Sequence, residues 1–253
     1  MMKNVNFLYL NIVFFIGFWC KIDIIRVLHN KGAYCMKKLN VIPLVFIVGL
    51  FGSCLMDNNI KGNGNLITSE KPVSLFEKIN IAGSAEVRFY ASQEYQVKDT
   101  VDSNLLEYTE IKTRGNTLNI GTISGNYSLK FTKYLVEVYC PAVSSVSISG
   151  SGRFVGIDSI NAPAFTAVIS GSGNILITGN SGESDIDISG SGNFNGDEFC
   201  VNKAVVRISG AGKANINVSE YLNANISGSG IINYSGNPKV DSKISGTGQL
   251  NKL

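Results

Sequence analysis

The sequence predicts an all-β fold, a single-domain parallel β-helix with about 18–21 residues per coil. The first observation behind this prediction is a phrase, Ile-Ser-Gly-small-Gly, that occurs six times between residues 148 and 248. The second is its period, because repeats of about twenty residues are typical of solenoids, in which each repeat stacks on its neighbours. The third is the strand-like alternation of apolar and polar residues around each copy.

Each repeat is interpreted as a strand, a Ser-Gly-small-Gly corner, a second strand and a variable loop. Two glycines are expected at each corner because the backbone can take positive φ there, where a Cβ would clash. The predicted corner residues are Ser149, Gly150, Gly152, Ser170, Gly171, Gly173, Ser189, Gly190, Gly192, Ser209, Gly210, Gly212, Ser227, Gly228, Gly230, Ser245, Gly246 and Gly248.

Columns of apolar residues in the aligned repeats are expected to face the core. Side chains two apart on a strand share a face, so the isoleucine before each serine and the residue three before it point the same way. Another apolar residue stands five after most serines, for example Phe154 and Phe194. The column two before each serine is mostly polar and points outward, which predicts a surface ion pair between Asp187 and Arg207 on adjacent coils.

Residues 66–140 are less regular and are expected to supply the first coils and the N-terminal cap. A degenerate copy of the repeat stands at Ile81-Ala82-Gly83-Ser84-Ala85, and residues 103–108 could form one helical turn. Alternation predicts four strands, at residues 78–81, 86–90, 117–120 and 135–139.

The N-terminal segment is predicted to be a leader. Lys37-Lys38, an apolar run over residues 41–51 and the small residues Gly52-Ser53 before Cys54 are typical of a bacterial lipoprotein signal. In such a signal the cysteine is acylated, so Cys54 is the expected lipid attachment site. An ordinary signal peptide or an anchor helix is the alternative.

Four segments follow from these features. Residues 1–35 are interpreted as an upstream extension from a start codon placed too early, with a membrane helix from about Val5 to Cys20 as the alternative. Residues 36–53 form the signal peptide, and the polar residues 54–65 form a flexible tether between a lipid and a domain. Residues 66–253 form the β-helix.

Removing the leader changes the charge balance. From Cys54 onward there are 16 Lys and Arg residues and 18 Asp and Glu residues, so no basic surface predicts a nucleic-acid partner. The only histidine, His29, and the only tryptophan, Trp19, also lie in the leader. A His-based triad and the usual zinc site are therefore excluded from the mature chain, and no cofactor, metal or catalytic residue is expected.

Two cysteines, Cys140 and Cys200, each stand nine residues before a repeat serine. This spacing predicts that they share a column three coils apart, about 14 Å at the usual strand spacing. A disulfide cannot span that distance. Two free, buried thiols are expected.

The chain resembles the auto-transporter adhesin family known as the head GIN domain, which is common in Bacteroidota lipoproteins. The resemblance covers roughly Gly62 to Leu253 and implies a right-handed β-helix on the cell surface or in the periplasm, without established catalytic residues. The motifs that carry it are Gly62-Asn63-Gly64-Asn65, Phe76-Glu77-Lys78-Ile79, Asn104-Leu105-Leu106, Asn116-Thr117-Leu118-Asn119-Ile120, and the strand before Pro141 that leads to Ile148-Ser149-Gly150-Ser151-Gly152.

Binding is the class of function that the sequence favours, in a non-enzymatic outer-membrane lipoprotein on the cell surface or the periplasmic face. The expected partners are the membrane, through the N-terminal lipid, and a glycan or surface protein; the oligomeric state is open. Tyrosines could form a sugar-stacking platform, for which Tyr127 and Tyr134, around an irregular loop, are the better exposed candidates. Partial burial under loops is the favoured alternative, and Tyr234 is expected in the core.

A carbohydrate-active enzyme, lyase-like or hydrolase-like, and a purely structural envelope protein are the alternatives. Glycoside hydrolysis usually needs two carboxylates across a groove, and Asp185 and Asp187 are the candidates. Convergence of two carboxylates in a groove with a basic residue would favour the enzyme.

Overall fold

The computed structural model describes residues 59–253, which are almost entirely β structure. One 3₁₀ helix, Leu106–Tyr108, lies within the part predicted to form a helical turn. The strands are β1 (Asn59–Lys61), β2 (Leu66–Lys71), β3 (Lys78–Gly83), β4 (Glu86–Ala91), β5 (Gln96–Asp102), β6 (Thr109–Arg114), β7 (Thr117–Thr122), β8 (Ser128–Lys130), β9 (Tyr134–Cys140), β10 (Ser145–Gly150), β11 (Arg153–Gly156), β12 (Ile160–Gly171), β13 (Asn174–Leu176), β14 (Gly179–Gly190), β15 (Asn193–Gly210), β16 (Lys213–Gly228), β17 (Ile231–Ser235), β18 (Lys239–Gly246) and β19 (Gln249–Lys252).

Most of these strands stack in parallel as a β-solenoid of about five turns. β10 pairs with β12, β12 with β14 and β14 with β15, and each pairing aligns equivalent positions of the repeat. Ile148 lies beside Ile169 and Ser149 beside Ser170, as the repeat predicts. The predicted all-β class and its stacked parallel coils are confirmed.

A ladder of isoleucines runs through the core on one side of every coil. Between Ile148 and Ile226, each ladder isoleucine is at most 2% exposed. The ladder continues into the N-terminal half because β3 pairs with both β10 and β7, which aligns Ile81 and Ile120 with it. Full burial of one such side chain contributes about 1.5–3 kcal/mol, and each further coil repeats this contribution.

The first glycine of each corner has a backbone conformation that other residues rarely adopt. In the six repeats its φ lies between 115° and 123°. At Gly190 a Cβ would also lie 2.5 Å from the carbonyl oxygen of Gly171 in the preceding coil. Corners therefore stack on corners so closely that only glycine fits.

The two ends of the solenoid differ. At the N-terminal end, β7 pairs with the antiparallel strand β6, and β9 pairs with the antiparallel strand β5, which pairs in turn with β2. At the other end, β18 pairs with β16 and β19 with β17. Among residues 59–253, no strand pairs with the outer edges of β18 and β19. Within these described residues, antiparallel strands thus cover one end of the solenoid, and the other end has an unpaired strand edge.

The predicted tether is ordered from Asn59 onward, so its assignment as flexible up to residue 65 is wrong for residues 59–65. β1 pairs in parallel with β8, inside that segment. Asp102 accepts the Gly64 amide at 2.9 Å, and Asn104 donates to the carbonyl of Lys61 at 2.8 Å. The Gly- and Asn-rich composition supports tight turns that dock on the domain.

The cysteine prediction is half wrong. Both thiols are free, but Cys140 is buried and Cys200 is exposed. Cys140 pairs with Ala91 of β4, whereas Cys200 pairs with Asn180 of β14, so the two do not share a column. Counting nine residues back from the serine fails because the chain before the serine differs in length and path between these coils.

The predictions for the upstream extension, the signal peptide and the lipid attachment at Cys54 concern residues outside the described range. Within residues 59–253, no helix has the length and apolar character needed to span a membrane.

Candidate functional site

The two tyrosines favoured by the sequence are not an exposed platform. Tyr134 is 6% exposed, and its hydroxyl donates to the carbonyl of Gly121 at 2.7 Å. Burial raises the pKa of Tyr134 well above its usual range. Its prediction as a ligand platform is wrong because it begins strand β9, with its ring stacked on Phe131 at a centroid distance of 4.7 Å.

Tyr127 is half-buried within its own loop. Its ring packs edge-to-face on Tyr108 with centroids 5.0 Å apart, and its hydroxyl donates to the carbonyl of Ile123 at 2.6 Å. These contacts hold the loop together and occupy the groups that a sugar would need.

A different pair of tyrosines lies on the outward face of the solenoid. Tyr90 of β4 and Tyr139 of β9 are register partners, and their rings stack with centroids 4.9 Å apart and planes 13° from parallel. The ammonium of Lys98 lies over the Tyr139 ring, 5.1 Å from its centroid. On the Tyr90 side, the amide of Ile157 donates to the carbonyl of Phe89, which places the half-exposed Ile157 next in the row. We call Lys98, Tyr139, Tyr90 and Ile157 the tyrosine surface.

Charged and amide groups surround the tyrosine surface. Gln96 donates to Glu70 at 3.1 Å, and the Arg88 guanidinium donates to Glu86 at 2.7 Å. The hydrogen bond from Glu86 raises the pKa of Arg88. Burial, with the nearby charge of Glu137, raises the pKa of the Tyr139 hydroxyl, which therefore stays a hydrogen-bond donor at neutral pH.

The sequence could have indicated that Tyr139 points outward. Glu137, two positions earlier, lies on the same face of the strand, whereas Val136 and Val138 lie on the opposite face. It could not have indicated that Tyr139 meets Tyr90. That contact depends on the parallel pairing of β9 with β4, which brings together residues about fifty positions apart.

The predicted corner serines are exposed, and several line a shallow groove of about 590 Å³ on the isoleucine side of the solenoid. The floor of the groove is the backbone of the ladder strands. The polar side chains that line it are Asp187, Ser189, Arg207, Ser209, Asn225, Ser227, Lys243 and Ser245.

Two carboxylates and one arginine converge beside this groove, which Asp187 and Arg207 line. The predicted pair between Asp187 and Arg207 is confirmed at 3.2 Å, and the same guanidinium nitrogen also contacts Asp185. These hydrogen bonds raise the pKa of Arg207. All three side chains are 46% exposed, so this cluster is an ion-paired group on an open surface. Glycoside hydrolysis needs one of the two protonated and a sugar enclosed between them.

Metal ligands do not cluster in the described part of the chain: no group of three or more His, Cys, Asp or Glu side chains there could hold an ion.

Comparisons with solved structures return the same architecture. A structure described as "a putative adhesin" from Bacteroides fragilis is 18% identical, with 77% of this chain and 100% of that chain covered and a TM-score of 0.65. Adhesins so described from Parabacteroides distasonis (22% identity, 77% and 100% covered, TM-score 0.52) and Parabacteroides merdae (23%, 78% and 99%, 0.51) are also similar. At these identities the likeness concerns the fold.

No curated protein matches the chain. A protein family does, over residues 75–238, which is more than half of the sequence. The matched segment contains the tyrosine surface and five of the six Ile-Ser-Gly-small-Gly corners. The chain belongs to the family described as "Putative auto-transporter adhesin, head GIN domain".

Proposed function

We propose that this protein is a non-enzymatic binding protein of the cell envelope whose tyrosine surface binds glycan chains. Membership in an adhesin family and the adhesins among its structural neighbours support a role in adhesion or binding. The observation that carries the glycan proposal is the stacked, half-exposed pair of Tyr90 and Tyr139 on an outward face.

The chemistry of this surface suits a sugar. Tyr90 and Lys98 cover the faces of the Tyr139 ring, so the exposed ring edges offer apolar contact to the C–H groups of a pyranose, and the tyrosine hydroxyls can hydrogen-bond its hydroxyls. Tyr139 is held between Tyr90 and Lys98, which fixes the rings before a ligand arrives. Preorganisation of this kind reduces the entropy lost on binding. Glu70 and Gln96 then supply acceptors and donors at the rim.

A glycan array with residues 56–253, the compact unit that contains the whole described solenoid, tests this proposal. The unmodified domain is expected to bind a subset of glycans, and the double variant Tyr90→Ala/Tyr139→Ala is expected to lose that binding. Tyr221→Ala is the matched control because Tyr221 is also half-buried on a strand but lies in β16, next to Lys203 and Lys239. Binding that survives in the double variant, or an array without signal, would contradict the proposal.

We also propose that the chain is exported and anchored in the outer membrane by a lipid on Cys54. The lipoprotein-like signal over residues 36–53 supports the anchor, and the adhesin family suggests an exported or cell-surface protein. Metabolic labelling with a fatty-acid analogue is expected to mark the protein and to disappear in Cys54→Ala. Labelling that persists in this variant would place the anchor elsewhere.

A carbohydrate-active enzyme is the second candidate function, favoured by the convergence of Asp185 and Asp187 on Arg207. Release of reducing ends from any polysaccharide by the unmodified domain, abolished in Asp185→Asn/Asp187→Asn, would support it. The binding proposal expects no such release and unchanged glycan binding in that variant.

A further inference from the structure

The open edge of β18 is a surface that the proposed glycan binding does not use. Ile244, in the last coil, is 43% exposed, whereas Ile226, one coil earlier, is 2% exposed. A bare strand edge presents unpaired N–H and C=O groups that can pair with another strand. We propose that this edge pairs with β18 of a second copy of the chain, in antiparallel orientation.

The backbone of β18 is oriented for such a pairing. In an earlier coil, the carbonyl of Ser144 accepts the amide of Thr166 in the next coil, at 3.0 Å. Thr166 thus directs its backbone groups toward the preceding coil, as does its equivalent Asp241 in β18. The alternate positions of β18, Val240, Ser242 and Ile244, direct their N–H and C=O groups away from β16, toward the open edge.

Charge selects one register among the possible ones. With a twofold axis at Ser242, Val240 lies opposite Ile244 of the second copy and covers it, and Asp241 lies opposite Lys243. A shift by one step places Asp241 against Asp241, or Lys243 against Lys243, and like charges in directly opposed positions are destabilising.

Larger shifts fail for backbone reasons. A shift by two steps in one direction brings Pro238, which has no N–H, opposite Ser242. The same shift in the other direction brings Gly246 there, where a φ of 115° bends the chain out of the strand. The register centred on Ser242 keeps two opposite-charge pairs and two apolar pairs.

The pairing closes on itself. Both copies contribute the same strand, so the interface is isologous and stops at a dimer. Head-to-tail growth by parallel stacking is blocked at the other end, because β7 and β9 are already paired with the antiparallel strands β6 and β5. The inward-facing position that is Ala224 in the preceding coil is Ser242 in the last coil. At the twofold axis, the Ser242 hydroxyl can hydrogen-bond the Ser242 hydroxyl of the second copy.

A cross-linking experiment on the full chain in detergent solution tests the twofold axis. Ser242→Cys is expected to give a disulfide-linked dimer under mild oxidation, well above the background that the native cysteines of the unmodified chain produce. Ser170→Cys, on an equally exposed corner away from the edge, is the matched control and is expected to stay at background. Equal cross-linking in the two variants overturns the proposal.

Charge reversal tests the register in the same full chain, with sedimentation equilibrium as the readout. Asp241→Lys and Lys243→Asp are each expected to weaken the dimer about tenfold, because each creates like-charge pairs across the axis. The double variant Asp241→Lys/Lys243→Asp restores the opposite-charge pairs and is expected to restore the dimer. A chain that is monomeric at every concentration, or a double variant no tighter than the single ones, overturns the proposal.

Both readouts remain interpretable if a variant is less stable. The substituted side chains are exposed in the last coil, and circular dichroism of each variant checks that the solenoid is intact. A Ser242→Cys variant that is folded and monomeric counts against the dimer.

Discussion

Gly192 lies directly against Ile169 of the preceding coil: a Cβ on this glycine would be 2.4 Å from the Ile169 Cγ2 atom and 2.7 Å from the Gly173 carbonyl oxygen. The same packing recurs one coil earlier, where a Cβ on Gly173 would lie 2.6 Å from the Ile148 Cγ2 atom. The isoleucine and the last glycine of the repeated phrase are therefore one packing unit, shared between neighbouring coils.

Substitution of this glycine should destabilise the solenoid. Gly192→Ala is expected to lower the free energy of unfolding of residues 56–253 by about 1–3 kcal/mol, because the new methyl group overpacks the core. Urea unfolding measures this. Ser191→Ala, at the exposed neighbouring position, is the control and should change stability by less than about 0.5 kcal/mol.

The partner residue allows a sharper form of the same test. Ile169→Ala removes the Cγ2 atom that the methyl group of Gly192→Ala would strike. The double variant is expected to lose less stability than the sum of the two single variants. Additive losses would mean that the cost of Gly192→Ala comes from the backbone and not from this contact.

Two buried aspartates of β5 should give the stability opposite dependences on pH. Burial raises the pKa of Asp99, although Thr109 at 3.0 Å and Lys71 at 3.4 Å oppose the shift. Burial also acts on Asp102, but the amides of Thr132 at 2.8 Å and Gly64 at 2.9 Å outweigh it and lower its pKa.

The signs then follow from linkage. The folded state holds the Asp99 proton more tightly than the unfolded state, so Asp99 costs stability as the pH rises above about 4, its unfolded value. Asp102 contributes stability above about pH 4 that is lost as the pH falls through its lower folded pKa. Urea unfolding between about pH 2.5 and about pH 7 measures both effects. Asp99→Asn should remove the loss of stability above about pH 4, and Asp102→Asn should remove the loss of stability below it. A slope unchanged by either variant would contradict that assignment.

The two thiols of residues 56–253 should react differently in the folded state. Burial raises the pKa of Cys140 to about 12, so it is protonated as well as inaccessible. Cys200 is exposed, and the Asn217 amide group donates to its sulfur at 3.6 Å. A maleimide should label Cys200 in the folded domain and both cysteines after unfolding. Cys200→Ser should abolish native labelling, and native modification of Cys140 would contradict its burial.

A ladder of asparagine amides stabilises the second side of the last coils. Asn233 donates to Asn215 at 2.9 Å and accepts from Asn251 at 3.0 Å. Asn233→Ala is expected to cost about 1–2 kcal/mol of unfolding free energy, because it removes both hydrogen bonds of the buried Asn233 amide. Asn193→Ala is the control, since Asn193 is exposed and its side chain donates one hydrogen bond, to Asn174. Equal losses would show that the ladder is not cooperative.

What the sequence could predict was the part of the fold that repeats. The alternation around Ile148 and the fixed distance to the next corner determine both the inward face and the coil register, and β12 and β14 follow it without a shift. The outward pair of Asp187 and Arg207 was predictable for the same reason. Both predictions required only the alternation within one strand and the number of residues in one repeat.

The candidate site and the cysteines depend on parts that do not repeat. Tyr139 meets Tyr90 only because β9 returns to β4 after an antiparallel excursion through β5, β6 and β7. Cys200 lies at a shift in the register between β15 and β16. Gly196 pairs with Ile216 and Cys200 with Asn217, so β15 holds more residues than β16 between these pairs. Local patterns carry no information about either event, because non-local pairing and coil length decide them.

The covered end and the unpaired strand edge give the molecule a direction. The chain enters at the covered end, where β1 pairs with β8, and the free edge of β18 lies at the far end of the isoleucine ladder. Eight strands are stacked from β7 to β18 on the isoleucine side, and at about 4.8 Å between neighbours they span roughly 35 Å. Two molecules joined through β18 would hold their points of chain entry roughly 70 Å apart and on opposite sides. Such a pair would suit a bridge between two facing surfaces better than a contact between neighbours on one membrane.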